Sequence, residues 1–373
     1  MKLPQLLSAI FWLVADTFRQ AVASGIFALM LGVSALIIVL GLSVRFEGTN
    51  KALPREQGVA ADRLPSDDPQ LNSKERSIQA RSQGIDVIKG EMVLAFGLVR
   101  IELKRTDEAT LRQVLFWLLQ FVDTLGILLT LVWTAGFVPS FLEPQAVSVL
   151  LAKPVPRWSL LVGKYIGVLL FVILQVAFFV LGTWIAVGIA TGFWPLEYLL
   201  GGPLMIVHFA IFYSFSILLA VYTRSTVVCV FGSILFWLLC WGMNYGRDVV
   251  LHMEHLANQP PAVVEVPKDK DGTPLMAPPK PMPQVFSSPT KLINEVGYWL
   301  LPKPMDMGVM LYDVMIKGDV RQAGAPPELP KDPAIQFVQQ QGWMYPEISV
   351  LTSLLAAVVI LAWAGVEFSG TDY

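Results

Sequence analysis

Few residues in this chain are suited to chemistry, and their spacing restricts what they could do. His252 and His255 flank Glu254 in the run LHMEH. Three residues apart on a helix, the two imidazoles share a face. The run does not match the H-E-x-x-H metalloprotease pattern, and no further ligand is identified to complete a metal shell. A solvated helix end is the expected state, and no metal site is assigned. Cys229 and Cys240 lie in one apolar run, about 16 Å apart if it is helical, which is beyond disulfide reach. They read as small buried hydrophobes. Gly163-Lys164 precedes Tyr165, and Trp158 stands where a phosphate loop needs its first glycine, so this segment does not cradle ATP. Asp123 and His208 remain, each inside a long apolar stretch. An ionisable group so placed is a candidate for a transport path or relay. One acid and one histidine are thin material for a membrane-embedded hydrolase, and no catalytic residue is assigned.

The elements that must position these residues follow from charge and hydropathy. The 373 residues are 54% hydrophobic and 15% charged, against about 25% charged in an average soluble domain. Much of the surface must therefore lie in lipid. A net charge of −2 leaves no basic footprint for nucleic acid. Charge-free gaps run from Arg19 to Arg45, Lys164 to Glu197, Glu197 to Arg224, Arg224 to Arg247 and Glu347 to Glu367. A further gap, from Arg112 to Glu143, is interrupted only by Asp123. Each is long enough for one spanning helix of about 20 residues. The runs are continuously apolar, whereas barrel strands would alternate.

The expected fold is an all-α membrane protein with about six transmembrane helices, an N-terminal interfacial helix and two large extracytoplasmic segments, the first with some β. Residues 1–20 predict the interfacial helix rather than a cleaved signal, because Asp16 and Arg19 interrupt the apolar stretch. Residues 21–44 predict span 1, 113–246 spans 2–5 with a connector at 141–164, and 348–366 span 6. Lys153, Arg157, Lys164 and Arg224 fall in the two–three and four–five connectors, which places these connectors, both termini and the tail 367–373 in the cytoplasm. Segments 45–112 and 247–347 then lie outside. The alternation Glu91 to Leu103 predicts a strand or hairpin. Prolines from Gln259 to Pro289 exclude helix and central strand. The apolar run 292–314 is broken by Pro302 and Pro304, which predicts two short helices on the outer membrane face, with a re-entrant segment as the rival.

One stretch carries a resemblance. Residues 141–167 read FLEPQAVSVLLAKPVPRWSLLVGKYIG. Glu143, Leu150, Leu151, Pro154, Arg157, Gly163, Lys164 and Tyr165 fit the cytoplasmic connector of the ABC-transporter type-2 permease family. Gln145-Ala146 replaces that family's Gly-Thr. DTFRQAVAS (16–24) resembles the family's elbow helix, GYWLLPKP (297–304) its Leu-Pro element, and FSGTDY its short tail. The order of these landmarks is similar to the branch of sodium-efflux and nitrous-oxide-reductase-maturation permeases.

The resemblance implies a transmembrane permease subunit of an ATP-driven exporter in the bacterial inner membrane. It further implies a partner ATPase subunit that holds ATP and magnesium, and a second permease chain, identical or not. No cofactor is implied on this chain itself. Asp16, Arg19, Glu143, Leu150, Leu151, Lys153, Pro154, Arg157 and Lys164 would couple the ATPase to the helices. Read from the residues alone, Lys153 and Arg157 suit acidic groups on a partner or anionic membrane lipid heads. The alternative function is a polytopic membrane scaffold whose outer segments dock extracytoplasmic proteins.

Overall fold

The computed structural model describes residues 3–47, 91–102, 107–142, 156–258, 288–317 and 346–370. In chain order these form α1 (Leu3–Ala23), α2 (Gly25–Leu42), β1 (Arg45–Glu47), β2 (Glu91–Leu94) and β3 (Val99–Glu102). Then follow α3 (Asp107–Thr134), α4 (Phe137–Phe141), α5 (Arg157–Thr191), α6 (Gly201–Thr223) and α7 (Thr226–Asn258). The chain continues as α8 (Ser288–Leu300), α9 (Pro304–Tyr312) and α10 (Pro346–Gly370). Among the described residues six helical stretches are long and apolar enough to cross a membrane: 25–42, 110–141, 157–191, 196–223, 226–256 and 347–370. This is the architecture of a helical membrane protein. The stretch 196–223 is 72% buried and that of α2 only 6%. Leu29, Leu36, Val39 and Leu40 of α2 are correspondingly exposed, as side chains facing lipid would be.

The boundaries differ from the charge-gap reading in informative ways. Span 1 begins at Gly25 rather than 21, because α1 runs to Ala23 and breaks at Ser24. The helix expected from 113 begins at Asp107, where Leu111 and Leu115 are already buried. The helix expected to end at 246 continues to Asn258, because Arg247 and Glu254 find partners on α8.

Contacts divide the chain into two units, residues 25–119 with 174–202, and residues 1–24, 120–173 and 203–373. In the first, α2 lies against α5. A Cβ at Gly182 would collide with Ile38, and the buried Gln175 donates to Ser34 at 3.0 Å. Gly192, at φ +75°, takes the left-handed conformation after the α5 terminus, which glycine adopts without a Cβ penalty. Arg112 pairs with Glu197 at 3.3 Å. The alternating stretch from Glu91 forms two antiparallel strands, and β1 completes a sheet of order β1-β2-β3. Central β2 buries Met92 and Val93, and Arg100 reaches both Glu47 and Glu91.

In the second unit, aromatic rings join α5, α6 and α7. Tyr165 stacks on Tyr213 at 5.8 Å and Phe215 on Phe236 at 4.0 Å, while the Tyr165 hydroxyl donates to the Ala210 carbonyl. The hairpin α8–α9 splits by environment. Leu292, Ile293, Val296 and Leu300 of α8 are exposed along one stripe. Helix α9 is instead buried, with Met307 packed among Ile211, Ala357, Val207 and Val350. Two short helices or a re-entrant segment were expected here; the chain forms two short helices separated at Pro302 and Pro304, and the second packs against α6 and α10.

Candidate functional site

Two sites contain residues marked out by the sequence. The first is built where α1 crosses α5. Leu13, Thr17 and Ala21 are buried; spaced four apart, they form one face of α1. Phe11 and Trp12 are exposed on it, as on a helix lying along a membrane interface. Phe18 meets Phe171 edge-on at 5.5 Å, and Trp133 donates its indole N–H to Ser24 at 2.6 Å. The closest approach is at Gly167, where an added Cβ would lie 2.8 Å from Thr17 Oγ1 and 3.3 Å from the Val14 backbone. Gly167→Leu is therefore expected to push α1 away and to cost about 1–3 kcal/mol through overpacking. Thermal unfolding in detergent, together with loss of a cysteine cross-link between α1 and α5, measures both effects.

Lys164 is the polar centre of this crossing. Its side chain is fully buried, one turn before Gly167. Its ammonium donates to Asp16 at 3.2 Å and to Gln20 Oε1 at 2.9 Å, and lies 5.9 Å from the centre of the Phe141 ring. Gln20 in turn donates to Asp16 at 3.1 Å. A buried ammonium needs such partners, because desolvation alone would cost several kcal/mol. Asp16 is half exposed, so the pair joins a buried cation to an accessible anion.

Asp123 and His208 form the second site. They were singled out separately, and the fold brings them together. Asp123 could have lain near a helix end. It sits instead inside α3, about 24 Å from the first residue of that helix. His208 Nδ1 lies 2.7 Å from Asp123 Oδ2. His208 is 3% exposed, with the Phe212 ring centre 5.2 Å from its own. Among the described residues His208 Nε2 and Asp123 Oδ1 are buried without a hydrogen-bond partner.

Of the remaining marked residues, Arg157 opens α5 and the Arg19 side chain is exposed. Glu143, Leu150, Leu151, Lys153 and Pro154 lie outside the described residues. His252 and His255 occupy the last turns of α7, and Glu254 between them pairs with Lys291. Among the described residues no three His, Cys, Asp or Glu side chains cluster to hold a metal. Both cysteines are buried thiols.

A third polar cluster escaped the sequence reading. Asp306 Oδ2 accepts from Tyr298 at 2.7 Å and from Ser349. Lys303 donates its backbone N–H to Ser353 and its ammonium to Thr352. Arg247 stacks over the Tyr298 ring at 4.0 Å and pairs with Glu295. Asn244 donates to the Pro302 carbonyl. Tyr298, Lys303 and Asp306 are all essentially inaccessible. One signal was available: Lys303 and Asp306 are charges set inside an apolar run beside prolines.

No family model, curated protein or solved structure matches the chain.

Proposed function

We propose that this chain is the permease subunit of an ATP-driven transporter, an exporter by its resemblance, worked by a separate ATPase. The observation that supports it best is the Lys164–Asp16–Gln20 junction. It ties α1 to the beginning of α5, the helix that Arg157 opens and the connector carrying Lys153 leads into. A partner pressing on that connector would move α5 and α1 together, as rigid-body switching requires. The ATP site would lie on the partner and the moving helices here. In this reading both termini and the connector face the cytoplasm, the α8–α9 hairpin caps the outer end of the bundle, and two permease chains assemble with two ATPase chains. The buried Asp123–His208 pair belongs to the candidate path.

Co-expression with any ATPase encoded beside it tests the reading. The ATPase is expected to copurify in detergent, and Arg157→Glu to lower ATP turnover of the complex at least about tenfold, the loss for about 1.4 kcal/mol of barrier. Absence of any copurifying ATPase, or a complex whose turnover Arg157→Glu leaves unchanged, would overturn it.

A further inference from the structure

Most buried polar groups in folded proteins are satisfied, and each unsatisfied one calls for a reason. The Asp123–His208 pair leaves one atom open at each end. A pair serving only to tie α3 to α6 would gain from closing both, since a stranded buried polar group costs about 1–3 kcal/mol. The open atoms are also chemically distinct. An ionised carboxylate only accepts, so with Asp123 ionised its Oδ2, at 2.7 Å, would hold the proton of a neutral imidazole on Nδ1. The lone pair of Nε2 is then left exposed as a base, in the manner by which a partner's hydrogen bond fixes which ring nitrogen is protonated. Phe212 flanks the ring. Gln120, one turn before Asp123, lies against Gly308 of α9. At the start of α9, Lys303 is engaged with Thr352 and Asp306 with Tyr298 and Ser349.

We infer that Asp123 and His208 form a proton-binding site inside the helix bundle, with His208 Nε2 as the atom that takes up the proton and Asp123 as the positioning residue. In the loading step an O–H bond of hydronium breaks and an N–H bond forms at Nε2, leaving water. The ring becomes imidazolium, and its charge is balanced by the Asp123 carboxylate. Release reverses the step. The loaded state is an ion pair and the unloaded state a charged–neutral hydrogen bond, so loading changes how strongly α3 and α6 are held together. Proton binding rests on this geometry alone, and its link to transport rests on the permease reading.

The chain has three histidines, which makes nitrogen-15 NMR of histidine-labelled full-length protein in nanodiscs readable. His208→Gln identifies the His208 signals. The expected wild-type result is a single neutral tautomer protonated at Nδ1, converting to the doubly protonated ring on acidification. Asp123→Asn is expected to abolish the tautomer preference, and Asp123→Glu to restore it. A wild-type His208 that keeps one neutral form at every pH where the protein stays folded overturns the proposal, whether or not the variants fold. ATP turnover of the complex against pH then tests the link. The profile is expected to change in His208→Gln. An unchanged profile with the titration intact counts against the permease reading, not against the proton site.

Discussion

Asp306→Ala is expected to lower the stability of the detergent-solubilised chain by about 3–5 kcal/mol, the range for removing one partner of a buried charged network. Asp306 accepts from both Tyr298 and Ser349, and it is the acidic residue beside Lys303 that holds the lysine in its charged form. Truncation leaves the Tyr298 and Ser349 hydroxyls with only their mutual 3.4 Å contact and the ammonium with Thr352 and the faces of Tyr298 and Trp299. Asp306→Asn should cost less, because its amide oxygen still accepts from one hydroxyl. A midpoint for Asp306→Ala within about 0.5 kcal/mol of wild type would show that the cluster is not structural.

Lys303 adds a dependence on pH. Burial is the main cause that draws its ammonium below the ordinary lysine range; Asp306 opposes the shift, Arg247 adds to it and Cys240 opposes it. In the unfolded chain Lys303 returns to about 10.4. Between its lowered native value and that figure the unfolded chain binds more protons, so the Lys303 contribution rises with pH. It is complete above the unfolded value and is lost as pH falls through the native one. Lys303→Met should remove this rise, and stability curves recorded at several alkaline pH values would reveal it.

The second large effect is an asymmetry at the α1–α5 crossing. Asp16→Ala should destabilise by about 3 kcal/mol, because it leaves a buried ammonium with a single neutral acceptor. Lys164→Met should cost about 1 kcal/mol or less, because it removes the buried charge, keeps most of the stem and returns a half-exposed carboxylate to water. Under the permease reading both variants uncouple ATP turnover from transport, although their stabilities differ. Equal destabilisation by the two would indicate that Lys164 is not buried as an ammonium.

The spans were legible because lipid admits only long apolar helices, and charge gaps locate those directly. The hairpin from Glu91 was legible because alternation has a period of its own. The Asp123–His208 contact was not, since 85 positions separate the two residues and only the packing of α3 beside α6 joins them. The helix ends were misplaced where charges find partners. Arg247 and Glu254 looked like the end of a span, but Glu295 and Lys291 on α8 keep α7 helical past them. The burial of α9 was not legible for a related reason, because the hydroxyls of Ser349, Thr352 and Ser353 that receive Lys303 and Asp306 lie 43 to 50 positions away. Lys164 was marked by resemblance, and its burial against Asp16 and Gln20 follows from the close approach at Gly167.

The polar partners of the α8–α9 hairpin also bear on how the chain reaches its membrane. Entering lipid alone, the hairpin would carry Lys303 and Asp306 with it, at about 2.5–3.5 kcal/mol for each charge near the bilayer centre. The hydroxyls that receive these residues belong to α10, which is made later. In a membrane, segment 288–317 is therefore expected to settle only once α10 is made, which orders this step from the C-terminal side. A cysteine introduced at the buried Met307 should react with water-soluble thiol reagents in a chain truncated before residue 346 and be protected in the complete chain.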